Sequence, residues 1–273
     1  MNKRYCTSIL AACAVAALLP FLPVNSAAQE KDAKQKDKNG KSKLGGPGGY
    51  IEGKSNTPVD PPPPAGPTPH MPDGKVDFSG VWLPGTFGFA SLGQVSLQPW
   101  AEALYKQRRD SQGKDDPEAH CLPTGVPRLS PYPYKILQTP TEVAILFEGN
   151  IHSYRQIFTD GRGHPGSDDM LPTWMGDSIG KWDGDTLVVD TVGFNDKTWL
   201  NGGGMPHSDQ LHVIERYRRP DLGHLEIEIT MEDPKAFTKP DTFKRIHTLT
   251  QTWEIHEYIC NENPIDTPHI VGK

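Results

Sequence analysis

The chain has 273 residues, with 28 Lys and Arg against 34 Asp and Glu, 27 Gly, 27 Pro and four Cys. Charge is unevenly placed: residues 1–54 carry nine basic against four acidic side chains, which leaves 19 against 30 in residues 55–273, a net of about −11. An acidic body without a basic stripe interleaved with aromatics repels phosphate backbones and speaks against a nucleic-acid partner.

At the N-terminus, Lys3 and Arg4 precede an apolar run from Ile9 to Val24, and Ser26-Ala27-Ala28 supplies small residues at the cleavage positions. This pattern predicts a secretory signal over residues 1–28 and export to the periplasm or beyond. The run is too short and too interrupted by Pro20 and Pro23 for a transmembrane anchor. Leu10-Ala11-Ala12-Cys13 offers a lipoprotein alternative, but the apolar segment continues past Cys13. Residues 29–76 are rich in Lys, Gly and Pro, bury little apolar surface and are expected to form a disordered linker. Once the signal is removed, Cys121 and Cys260 remain; in an oxidising compartment they are expected to pair and close a loop of about 140 residues, with two free thiols as the alternative.

The body, residues 77–273, is long enough for one domain with a sizeable core. Helical periodicity is confined to about Leu97–Asp110, where Trp100, Ala101, Leu104 and Tyr105 share a face. Alternation of period two predicts strands near Phe78–Leu83, Tyr134–Thr139, Glu142–Glu148, Ile151–Thr159, Asp177–Trp182, Thr186–Gly193, Leu211–Arg218, His224–Met231, Phe243–Thr250 and Thr252–Cys260. Asp183-Gly184 between two apolar runs marks a hairpin. The expected class is all-β and mainly antiparallel: a single barrel of about 8–10 strands with one helix, or alternatively a β-sandwich, since either hides the sheet edges.

Gly80-Val81-Trp82 resembles the Gly-x-Trp of lipocalin-like (calycin) barrels, in which the Trp closes one end under the first strand. More of the chain, Asp77 to about Pro264, resembles a family of exported bacterial proteins of unknown function through the phrases DFSGVW, RQIFTDGR, GDTLVV, GFNDKTWL, ERYRR and EYICNEN. The first resemblance implies a calycin-like barrel. The second implies location and carries no activity.

Alternation also places polar residues on inward faces. Glu215 shares a face with Leu211, Val213 and Tyr217, and Glu257 one with Trp253, Ile255 and Ile259. Arg155 lies with Ile151 and Ile157, and Arg245 and His247 lie with Phe243 and Leu249. A buried carboxylate must be paired, hydrogen-bonded or protonated, so three readings are open: a cavity that orients a polar ligand, a self-satisfied Arg–Glu network that holds strands in register, or faces displaced by one residue, which would put all five side chains in water. The loop Phe194–Gln210 adds Asn195, Asp196, Trp199, His207, Ser208 and Asp209. His207-Ser208-Asp209 does not make a triad by adjacency alone. His152, His207, His212, His247 and His256 have no metal-ligand spacing, and no cofactor motif is present.

The expected function is binding of a small, partly apolar organic molecule, with Trp182, Trp199 and Tyr217 supplying contact area and Arg155, Arg245, Asn195 and Asp196 supplying polar contacts. One alternative is a cofactor-independent hydrolase, lyase or isomerase using Glu215 or Glu257 with His207 or His247. Another is an envelope scaffold without ligand.

Overall fold

The computed structural model describes residues 61–85, 95–128, 132–149 and 153–260. The signal segment, Cys13, linker residues 29–60 and His152 lie outside them. Nine strands form a closed barrel in chain order: β1 (Gly80–Pro84), β2 (Tyr134–Gln138), β3 (Glu142–Phe147), β4 (Tyr154–Phe158), β5 (Asp177–Asp183), β6 (Thr186–Val192), β7 (His212–Arg218), β8 (His224–Glu232) and β9 (Asp241–Thr250). β9 returns to β1 in antiparallel register, with Val81 opposite Thr250 and Pro84 opposite His247. The helix α1 (Pro99–Asp110) opens on a proline whose missing N–H is no loss at that position.

Strict up-and-down alternation cannot close an odd ring, so one neighbouring pair must be parallel. That pair is β4–β5, joined at Phe158 and Ile179, while the other eight are antiparallel. A parallel connection must run back along the barrel, and residues 159–176 supply the length. This crossing segment is stitched to the wall by Thr173, whose N–H donates to the Gly193 carbonyl (3.0 Å) and whose carbonyl accepts from the Asn195 N–H (2.8 Å). Gly176, at φ +70°, makes the approach possible: a Cβ there would lie 2.8 Å from the Val192 carbonyl oxygen. The β5–β6 hairpin turns on Gly184-Asp185, between the paired residues Asp183 and Thr186, with Gly184 at φ +60°. Positive φ at the first central residue is the pattern of a type II′ turn.

Alternating side chains line the interior. Ile136, Val143, Ile145, Ile157, Leu187, Val189, Val213, Leu225, Ile227, Ile229 and Met231 are all buried, and each contributes roughly 1.5–3 kcal/mol by leaving water. One end is closed by Trp82, whose Nε1–H donates to the Phe78 carbonyl (2.9 Å) and whose ring lies beneath the Arg219 guanidinium (4.9 Å). Arg219 also donates to the carbonyls of Asp77 and Leu222, at 2.5 and 2.7 Å. At the other end α1 packs beside the 233–240 loop: Trp100 Nε1–H donates to the Lys235 carbonyl (2.7 Å), and Leu97 bridges Phe237. None of the described helices is long and apolar enough to cross a membrane.

Two expectations are corrected. Thr252–Cys260 forms no strand; it leaves β9 as a mostly exposed segment beside β2, tied by a Lys135–Glu254 ion pair (2.7 Å) and by the His256 N–H to Glu148 (3.0 Å). Its alternation of apolar and polar residues has no neighbouring strand to pair with, because β1 already occupies the free edge of β9. Residues 61–76, assigned to the linker, pack on the body: Thr68 Oγ1–H donates to the Arg219 carbonyl (2.9 Å), the Leu222 N–H donates to the Gly66 carbonyl (3.0 Å), and Val76 is buried. The closely spaced prolines hold this stretch extended at little entropic cost, so a few contacts suffice.

Cys121 and Cys260 are joined in a disulfide, with Cα atoms 5.7 Å apart. It fastens the post-β9 segment to the loop that follows α1.

Candidate functional site

Five buried side chains on the consecutive strands β4 to β7 create the first polar cluster. Arg155 on β4 and Glu215 on β7 are each 1 % exposed. All five guanidinium N–H groups are used: Nε–H donates to Ser178 (3.2 Å), Nη1 to Glu215 Oε1 (3.1 Å) and Tyr217 (3.3 Å), and Nη2 to Thr191 (2.9 Å) and, closely, Glu215 Oε2. The Tyr217 hydroxyl in turn donates to Glu215 Oε1 (3.1 Å), and Ser178 and Thr191 are linked at 3.0 Å. Burial works against the Arg155 charge, but Glu215 and Tyr217 raise its pKa further still, while burial next to Glu215 raises that of Tyr217. The pair is ionic, bidentate and saturated.

The second cluster lies beside it, on β2 and β9. Arg245 Nη1 donates to the Pro127 carbonyl (2.7 Å), and its guanidinium sits over the Phe243 ring at 5.2 Å. His247 meets the Tyr134 ring edge-to-face at 5.4 Å. Tyr134, Arg245 and His247 are 1 %, 5 % and 1 % exposed. Among the described residues, however, Tyr134 Oη, Arg245 Nε and both ring nitrogens of His247 have no hydrogen-bond partner. Burial and the adjacent Arg245 charge push His247 down to about 3, so its ring is neutral at ordinary pH. Burial lowers Arg245, although the fields of Glu215, Tyr134 and Tyr217 oppose the shift, and burial raises the Tyr134 phenol.

Other expected site residues sit elsewhere. Glu257 is exposed on the segment outside the barrel, so it faces no cavity. His207 is buried in the 194–211 loop with both nitrogens engaged, at 2.6 Å from Thr198 Oγ1 and 2.8 Å from the Ser208 carbonyl. The carbonyl can only accept, so Nδ1 carries the proton and Nε2 accepts from Thr198, an arrangement that holds the loop. Ser208 is bound to Asp233 through its hydroxyl (2.7 Å) and its N–H (2.6 Å), and Asp209 pairs with Lys235 on the surface. Asn195 caps a local turn by accepting from the Lys197 N–H (3.2 Å), and Asp196 is exposed. Trp199 is packed beneath Arg108 (4.8 Å), and Trp182 is stacked on Phe78 (5.7 Å) at the closed end.

Sequence reading missed Tyr134, Ser178 and Thr191. Thr191 alternates with Leu187 and Val189, so its inward direction was available; Tyr134 only opens a strand predicted from alternation, and nothing local revealed its unpaired hydroxyl. It also missed an outer-wall row in which His164 lies between Asp177 (2.5 Å) and Asp190 (2.9 Å), and His212 between Asp190 (3.0 Å) and Glu232 (3.4 Å). Among the described residues no group of three or more His, Cys, Asp or Glu is placed to hold a metal ion. Two outer clefts, of about 430 and 820 Å³, lie along the 233–240 loop and along α1, and neither is lined by an expected site residue.

The fold and site together define a closed, mixed nine-strand β-barrel with an ionic interior. Compared with protein-family models, curated proteins and solved structures, the chain matches none.

Proposed function

We propose that this is an exported protein that binds a small organic molecule inside its barrel, the molecule being partly apolar with a polar group seated on β2 and β9. The observation that carries the reading is the set of buried polar atoms of Tyr134, Arg245 and His247 with no partner among the described residues. Groups of this kind each cost roughly 1–3 kcal/mol when unsatisfied, and their concentration on adjacent inward positions points to a molecule that completes them. Apolar neighbours support the partly apolar character: Leu225 lies opposite His247, Ile227 opposite Arg245 and Phe147 opposite Tyr134. Export draws support from the Cys121–Cys260 disulfide and the signal-like N-terminus.

The acid–base alternative draws less support, because Glu215 is held bidentately by Arg155 and both nitrogens of His207 are engaged. A scaffold reading is favoured by one observation, the saturation of the Arg155 network, which pins β4, β5, β6 and β7 in register without a ligand.

The test is mass spectrometry of small molecules released on denaturing the protein purified from its own export compartment, compared with an Arg245→Gln variant. A stoichiometric organic compound, lost from the variant, is expected. Release of nothing from either would overturn the binding reading in favour of the scaffold.

A further inference from the structure

Counting hydrogens and charges in the second cluster narrows the chemistry of its occupant. Arg245 Nε–H, Tyr134 Oη–H and one N–H of the neutral His247 ring are three donors, and the other His247 nitrogen is an acceptor. Among the described residues the ionic groups nearest this cluster are Arg155 and Glu215; Asp241 shares its face of β9 but lies four residues from Arg245, and Asp233 is taken up by Ser208. Arg155 and Glu215 pair with each other, and among the described residues Arg245 has only the Pro127 carbonyl, so its guanidinium has no counter-charge in contact. A guanidinium taken out of water without a counter-charge is unfavourable by several kcal/mol, which an anion of single charge relieves and an anion of double charge overshoots. A carboxylate has that charge, and its oxygens offer lone pairs for all three donors. The bare imidazole nitrogen remains, and it calls for a donor that a carboxylate lacks.

We infer that the occupant is a hydroxy-carboxylic acid, its carboxylate held by Arg245 and Tyr134 and its hydroxyl donating to His247. This rests on the interior-binding reading above. Leu225, Ile227, Phe147 and Phe243 surround the three side chains and suit the carbon frame of such an acid.

Isothermal titration of the full chain with matched probes tests it: lactate and mandelate, their deoxy counterparts propanoate and phenylacetate, and the neutral lactamide and mandelamide. One of the two hydroxy acids is expected to bind about fivefold or more tighter than its deoxy counterpart, the difference one neutral hydrogen bond makes. It should bind about thirtyfold or more tighter than its amide, as loss of a buried charge partner predicts. His247→Phe should abolish the preference for the hydroxyl while acid binding persists, and Arg245→Gln should abolish acid binding. Should Arg245→Gln fail to fold, Arg245→Lys, which keeps the charge and loses the Nε–H, is expected to weaken acids selectively. Equal affinity for acid and amide, or indifference of acids to both Arg245 variants, overturns the inference; a neutral compound released on denaturation would then leave the interior-binding reading standing. No binding of any probe, together with nothing released on denaturation, means that water alone meets these atoms, and both readings fall together.

Discussion

Among the described residues Arg155 and Glu215 are each other's only ion-pair partner inside the barrel, and neither can be removed without stranding the other. Glu215→Gln keeps the shape but leaves a guanidinium without its counter-charge, and it is expected to lower unfolding free energy by about 3–5 kcal/mol in urea titrations. Arg155→Met with Glu215→Leu removes both charges and should recover much of that loss, whereas an additive result would show that the two side chains do not act as a pair. His247 supplies a test of the second cluster by pH. Its native value, about 3, lies below the ordinary histidine value of about 6.5. Between those values the unfolded chain binds a proton that the native chain does not, so stability is full above the upper value and falls as pH drops toward the lower one. The slope from this residue approaches ~1.4 kcal/mol per pH unit. Replacing the ring by Phe keeps an aromatic against Tyr134 and should flatten the decline over that window; an unchanged slope of urea midpoint against pH would show that His247 titrates normally.

The connection between β4 and β5 carries the burden that odd strand number imposes. Because residues 159–176 must travel the barrel's length and dock on its wall, the point where they enter β5 tolerates no side chain at Gly176. Gly176→Ala forces both an unfavourable φ and a clash with the Val192 carbonyl, and it is expected to destabilise by about 1–3 kcal/mol. Limited proteolysis should cut within 159–176 more readily in this variant, and unchanged cleavage would indicate that the crossing segment docks independently of β5. At the closed end, Arg219 joins the segment before β1 to the turn after β7. Arg219→Ala should lower stability by about 2–3 kcal/mol, from lost hydrogen bonds to carbonyls and the lost contact with Trp82, and should expose residues 61–79 to protease.

The disulfide binds the two long excursions from the barrel, the 85–133 connection and the segment after β9. Since it closes a loop of 139 residues in separation, Cys260→Ser is expected to lower stability by about 2–5 kcal/mol. Cys121→Ser should match it, and the double variant should be no worse than either, as unfolding under non-reducing conditions will show. Free thiols in intact-mass analysis under non-reducing conditions would contradict the pairing. Barrel closure itself should survive reduction, because all nine strands pair through main-chain hydrogen bonds that the disulfide does not touch.

Strand existence, the helix and the inward direction of Arg155, Glu215, Arg245 and His247 were legible because side chains alternate along a strand and a period of two is a local property. The cysteine pairing was legible because just two cysteines stand outside the signal-like N-terminus. Periodicity says nothing about neighbours, and there the sequence misled: Thr252–Cys260 alternates as a strand does, yet β1 had taken the edge it needed, which carried Glu257 into solvent. A proline-rich stretch looked like a linker because its docking surface lies about 140–160 residues further along the chain, at 219–223. The division of the polar interior into a saturated Arg155–Glu215 pair and an unsatisfied Tyr134–Arg245–His247 cluster belongs to tertiary structure alone. Which donor meets which acceptor is decided by strands far apart in sequence, at distances no local pattern encodes.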